Sequence, residues 1–115
     1  MTGSPPPNQK RLPPAVRRAT ATLAEEIATW RKLKGLTQVQ LADRAGIGLA
    51  TLTRLERGGG GISVENLLKV LRALGVLDSL LTALDPFETD VGRLRSEQAL
   101  PQRVRPRGLS GDDDG

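Results

Sequence analysis

Cysteine, histidine and tyrosine are all missing from this 115-residue chain, and Trp30 and Phe87 are its sole aromatic residues. Those absences exclude disulfides, thiolate or imidazole metal sites and any nucleophile paired with a histidine. An enzyme built from the remaining side chains would rely on carboxylates, lysines or hydroxyls. No catalytic cluster or cofactor loop stands out among them, so neither enzymatic activity nor a cofactor or metal is expected. No stretch approaches the ~18 apolar residues of a membrane span, and no N-terminal apolar run resembles a signal peptide. A soluble, cytoplasmic protein with no membrane partner is the expectation. With so few aromatics, the core has to be built from Leu, Ile, Val and Ala.

Charge is plentiful but unevenly placed. The net charge is +4 and the pI about 10.3. Residues 1–18 hold four cations (Lys10, Arg11, Arg17, Arg18) and no acid, whereas residues 19–84 hold eight cations and six acids. From residue 85 onward come five arginines (Arg93, Arg95, Arg103, Arg105, Arg107) and seven acids, three of them the terminal Asp112-Asp113-Asp114. A basic arm before the middle and a basic strip after it fit a polyanionic partner. Basic tails that only keep a small protein soluble are the plainer alternative.

Composition also divides the chain. Residues 1–14 (MTGSPPPNQKRLPP) carry five prolines and little to bury, the mark of a flexible arm. Residues 15–84 form the folded unit. Residues 85–115, with Pro86, Pro101 and Pro106, read as an Arg-rich and then acidic tail, largely extended or disordered. Within it, Val91–Leu100 (VGRLRSEQAL) has the makings of a short helix against a partner. No internal repeat is apparent.

Inside 15–84, helices end one after another at glycine. Leu23, Ile27, Trp30 and Leu33 or Lys34 follow i, i+4, i+7 spacing and predict one apolar stripe, closed at Gly35. Its start lies at a Thr22-x-x-Glu25 capping box or, a turn or two earlier, at Pro14. Thr37-x-x-Gln40 is a second capping box that opens a short helix through Ala45, which Gly46 ends. A third helix is expected from Gly48 to Arg57, where the Gly58–Gly61 run breaks it. Ser63 caps a fourth, VENLLKVLRAL, with Leu67, Leu68, Leu71 and Leu74 at core spacing. A fifth spans Leu77–Leu84. The expected fold class is therefore all-α, five helices with flexible N- and C-terminal tails. A core this small buries only about 60% of the surface its unfolded chain exposes, so dimerisation would help stabilise it. The apolar positions Leu74, Val76, Leu77, Leu80, Leu81 and Leu84 exceed what one small domain needs. They serve either as a dimer interface or as further core.

The two short helices over 37–45 and 48–57, joined by about three residues at Gly46, have helix-turn-helix geometry, in which the second helix enters the major groove of DNA. The chain here resembles the phage-repressor-like (Cro-like, XRE) helix-turn-helix regulators. The resemblance rests on Gly35-Leu36-Thr37-Gln38, Leu41-Ala42, Ala45-Gly46-Ile47, Thr51-Leu52, Arg54-Leu55-Glu56-Arg57-Gly58 and Leu67-Leu68…Leu71…Leu74-Gly75, across about 60 residues. At ~100° per residue, Leu52 and Leu55 share one arc, and Leu49, Ala50, Thr53 and Arg54 share a ~140° arc opposite. The resemblance implies that this opposite arc looks toward base edges. Arg54 then suits a bidentate contact to guanine, Leu49 and Ala50 suit thymine methyls, and Thr53 can bond either way.

Gln38 opens the second helix, where backbone N–H groups and the dipole attract phosphate. The resemblance implies that its side chain binds the DNA backbone. Thr51, Arg44 and Arg57 are further candidate phosphate partners, each also readable as ordinary surface. It implies, too, that Arg31 and Glu56 form a structural ion pair holding the recognition helix against the first. Ala42 is expected to be small because two crossing helices leave little room there. Gly58–Gly61 is no phosphate loop, since no Gly-Lys-Ser/Thr follows and no strand precedes it.

Two functions follow as expectations. The first is a sequence-specific transcriptional regulator that binds double-stranded DNA at a two-fold operator as a homodimer. The second is an antitoxin, because many small regulators of the resembled family bind both operator DNA and a toxin, often a kinase-like one, here through DPFETDVGRLRSEQALPQRVR.

Overall fold

The computed structural model describes residues 12–99. Most of the basic arm and the arginines at 103, 105 and 107 therefore lie outside the described residues, as does the acidic end. The described residues form α1 (Pro14–Leu33), α2 (Gln38–Ala45), α3 (Leu49–Glu56), α4 (Val64–Leu74), α5 (Leu77–Leu84), a 3-10 turn (Pro86–Glu88) and α6 (Asp90–Ala99). No strand occurs among them. The chain divides after Leu77 into two compact units.

In the first unit, local chemistry sets where helices start and stop. Pro14 opens α1 in the first turn, where a missing N–H forfeits no intrahelical bond, so Thr22 and Glu25 fall inside the helix rather than at its start. Thr37 Oγ1 accepts from the Gln40 N–H at 3.1 Å, and Gln40 Oε1 accepts from the Thr37 N–H at 2.9 Å, a reciprocal box that starts α2. Gly46 ends it in the left-handed region (φ 73°, ψ 35°). There a side chain would be strained, and the Ile47 N–H reaches back to Ala42 O at 3.0 Å. Ser63 Oγ caps α4 through Asn66 N–H at 3.0 Å.

The core of this unit is aliphatic throughout: Ala24 and Ile27 from α1, Leu36 from the loop after it, Leu41, Ala42 and Ala45 from α2, Leu52 and Leu55 from α3, and Val70, Leu71 and Leu74 from α4. α2 packs against α3 and α4, and α1 packs against the same two helices. Among the described residues no polar or charged side chain is fully buried.

Two expectations need correction. Trp30 and Leu33 are not in the core; they are 42% and 71% exposed. The inward line of α1 runs through Ala24, Ile27 and Arg31, because Arg31 turns toward Glu56 and takes the place Trp30 was expected to fill. Trp30 lies ~100° round the helix from it. In α4, likewise, Val70 is fully buried whereas Leu67 and Leu68 are only half-buried.

In the second unit the helix count becomes six. The sequence predicts a largely extended tail from Asp85, with Val91–Leu100 as a short helix against a partner; residues 86–88 and 90–99 are helical within the chain itself. Asp85 Oδ1 accepts from the Phe87 N–H at 2.9 Å, Thr89 Oγ1 accepts from the Gly92 N–H at 2.9 Å, and Arg93 Nε donates to Phe87 O at 2.7 Å. Gly92 lets α6 close on the 3-10 turn: a Cβ there would collide with the carbonyl oxygen of Pro86. These short-range bonds, rather than an apolar stripe, make the helix.

Candidate nucleic-acid interface

The first unit holds α3 so that its two faces differ sharply. Leu52 and Leu55 are buried, at 0% and 5% exposure, and fix the helix to α1 and α2. Leu49 (45% exposed), Ala50 and Arg54 face outward, and Thr51 and Thr53 are half-buried. The helix begins at Gly48, whose backbone is extended (φ −70°, ψ 150°) and which has no side chain to cap the first turn. At the other end Arg57 is the C-cap and is exposed. Arg44, in the last turn of α2, is exposed as well.

One polar network sets the angle of this motif. Glu56, at the end of α3, accepts from Arg31 Nε at 2.8 Å through Oε2 and from Arg31 Nη2 at 3.0 Å through Oε1. The same Oε1 accepts from Gln38 Nε2 at 3.0 Å, and Arg31 Nη1 donates to Leu36 O at 2.9 Å. The Arg31 and Glu56 side chains are 12% and 5% exposed. A two-pronged guanidinium–carboxylate contact shielded from water is both strong and directional. Here it ties the end of α1, the start of α2 and the end of α3 at a single point.

The structure thus brings Arg31, Gln38 and Glu56 together and leaves Leu49, Ala50 and Arg54 pointing away from the core. Gln38 has a role that the sequence did not disclose. Its amide reaches Glu56, so the remaining amide hydrogen and the N-terminal backbone N–H groups of α2 are what it can offer an anion. No pattern within the 37–45 segment could have revealed this, because the partner lies 18 residues away. Among the described residues no group of three or more acidic side chains is placed to hold a metal ion, and no helix is long and apolar enough to cross a membrane.

The comparisons agree with this geometry. A family model described as helix-turn-helix matches residues 27–79, the span from the buried turn of α1 to the first turn of α5. The cryptic phage CTXphi transcriptional repressor RstR of Vibrio cholerae serotype O1 (strain ATCC 39315 / El Tor Inaba N16961) is 39% identical over 83 residues, covering 70% of this chain and 74% of that repressor. No solved structure matches the chain.

Proposed function

Since this chain belongs to the phage-repressor-like helix-turn-helix family of DNA-binding transcriptional regulators, we propose that it acts in the cytoplasm, without enzymatic activity, as a homodimer on a two-fold operator. The recognition helix is α3, laid in the major groove, and the two copies of it stand about one DNA turn (~34 Å) apart. The observation that carries this reading is the division of α3, with Leu52 and Leu55 inward and Leu49, Ala50 and Arg54 outward. Arg54 reads guanine, Leu49 and Ala50 pack on thymine methyls and Thr53 donates or accepts beside them. Gln38, Thr51, Arg44 and Arg57 hold phosphates, which set register rather than sequence. An outward face with so few hydrogen-bond donors leaves much of the affinity to phosphates and DNA shape. The dimer contact uses α5, where Leu77, Leu80, Leu81 and Leu84 share one face and Leu81 and Leu84 are exposed.

The test is binding to a duplex selected by the protein from a random-sequence pool, compared with a scrambled duplex, across a salt series. Each phosphate contact contributes roughly −0.9 to the log–log slope. Arg54→Ala lowers the preference between the two duplexes by ~1–3 kcal/mol, while Gln38→Ala weakens both alike. Equal loss on both duplexes in the Arg54 variant ends the base-reading assignment.

A second reading is favoured by the second unit. Its α6 is ordered yet leaves Val91 and Leu94 exposed (68% and 55%), a small apolar face suited to a protein partner such as a kinase-like toxin. Deleting residues 86–115 then leaves DNA binding intact and abolishes partner capture. If the deletion mainly lowers DNA affinity and its salt dependence, the arginines are a DNA arm instead.

A further inference from the structure

Arg54 does not project freely from α3. Its aliphatic stem lies across Gly59, where a Cβ would fall 2.7 Å from Arg54 Cγ, 3.5 Å from its Cδ and 3.1 Å from its carbonyl oxygen. The Gly59 N–H also donates to Arg54 O at 2.9 Å, so the two residues are tied through the backbone as well. The four consecutive glycines are not equivalent. Gly58 and Gly61 have positive φ (82° and 80°), a conformation other residues resist. Gly60 has no positive φ and would meet nothing within 4 Å. Gly59 also lacks a positive φ, so its backbone does not call for glycine. The room it leaves does, and Arg54 occupies that room.

We propose that Gly59 is a positioning residue for base reading, its bare Cα serving as the seat on which the Arg54 stem rests. The inference builds on the assignment of Arg54 to guanine. A bidentate contact to the O6 and N7 edge demands a set direction of the guanidinium plane. A long side chain that is free in solution has to give up its rotamers to reach that direction, and one already laid against the backbone has fewer to give up. With alanine at 59, Cγ has to rotate off the seat, because a carbon–carbon approach of 2.7 Å is not sustained. The guanidinium then explores directions that miss the base. Phosphate contacts made by other residues do not depend on this seat.

The experiment uses the full-length protein and its Gly59→Ala, Gly60→Ala, Arg54→Ala and Gly59→Ala/Arg54→Ala variants. Each is measured on the duplex that the wild type selects from a random-sequence pool and on a scrambled duplex. Melting by circular dichroism and the Arg54 Nε–Hε resonance of the free protein are recorded alongside. Gly59→Ala is expected to lower the preference for the selected duplex about fivefold or more, the low end of what one bidentate base contact supplies. It shifts the Arg54 resonance and leaves scrambled-duplex affinity alone. Gly60→Ala matches wild type in every measurement. In the Arg54→Ala background the Gly59 change adds nothing, because the carbon it strikes is gone.

Wild-type preference in Gly59→Ala, or the same loss in both backgrounds, overturns the seat. So does a drop in melting temperature that Arg54→Ala does not restore, since the clash would then be with the backbone. If Arg54→Ala loses preference while Gly59→Ala is neutral, the seat fails and base reading stands. If Arg54→Ala weakens both duplexes equally, base reading fails and the seat with it.

Discussion

Up to Leu77 the described chain buries eleven apolar residues from four helices and a loop; from Asp78 to Ala99 it buries none. Both stretches are helical, but for different reasons. In the first unit residues far apart in sequence hold one another, as when Ile27, Leu41, Leu52 and Leu74 meet in one core. In the second, order comes from bonds spanning two to six residues around Asp85, Thr89 and Arg93. A core holds a helix at a fixed angle to its neighbours, whereas a chain of local bonds holds only the next turn. The surface assigned to DNA rides on the first kind of order, where angle matters.

Five substitutions break or sharpen that contrast, four of them taken from the largest expected effect and Leu94→Ala set beside the first as its counterpart. Leu52→Ala should cost about 3–4 kcal/mol in urea or guanidinium unfolding, the toll of a cavity under α3. The same truncation at Leu94, 55% exposed, should cost under about 0.5 kcal/mol. Comparable losses at the two sites would erase the distinction between the units. Next, Glu56→Gln leaves a shielded guanidinium without its carboxylate and should destabilise the first unit by about 3 kcal/mol, read by the same unfolding curves. Unchanged stability would show that the network does not fix α3. Ala42→Leu forces three extra carbons into the packed side of α2, where Ala42 is 4% exposed, and should cost about 1–3 kcal/mol, with a lowered melting midpoint. Unchanged melting would count against the docking of this helix. Smallest is Gly92→Ala, which prevents α6 from closing on Pro86. Amide exchange should rise by about tenfold within residues 86–99 while the global midpoint stays put, consistent with local opening. A fall in that midpoint would mean that the second unit supports the first.

What the sequence disclosed follows the same division. Helix ends in the first unit were legible because their rules span four residues: Thr37 with Gln40, Ser63 with Asn66, Gly46 and Gly75 as left-handed stops. The inward turn of Leu52 and Leu55 was legible from a period of 3.6 residues. The rotation of α1 was not, since it depends on Arg31 meeting Glu56, 25 residues away, and so displacing Trp30. Gln38 escaped for the same reason. The sixth helix was read only as a conditional one, because Val91 and Leu94 give almost no apolar stripe and its support comes from the turn before it. Gly59 is indistinguishable from its three neighbours until Arg54 is placed against it.

The exposure of Trp30, with Lys34 Nζ 5.9 Å from its ring centre, has a practical corollary for spectroscopy. The chain's lone indole already meets solvent in the native state, so its emission should shift little to the red when the aliphatic core comes apart. Fluorescence is thus a dull thermometer for this protein but a quiet background. Any molecule that settles over the end of α1 should announce itself as a blue shift from a single reporter.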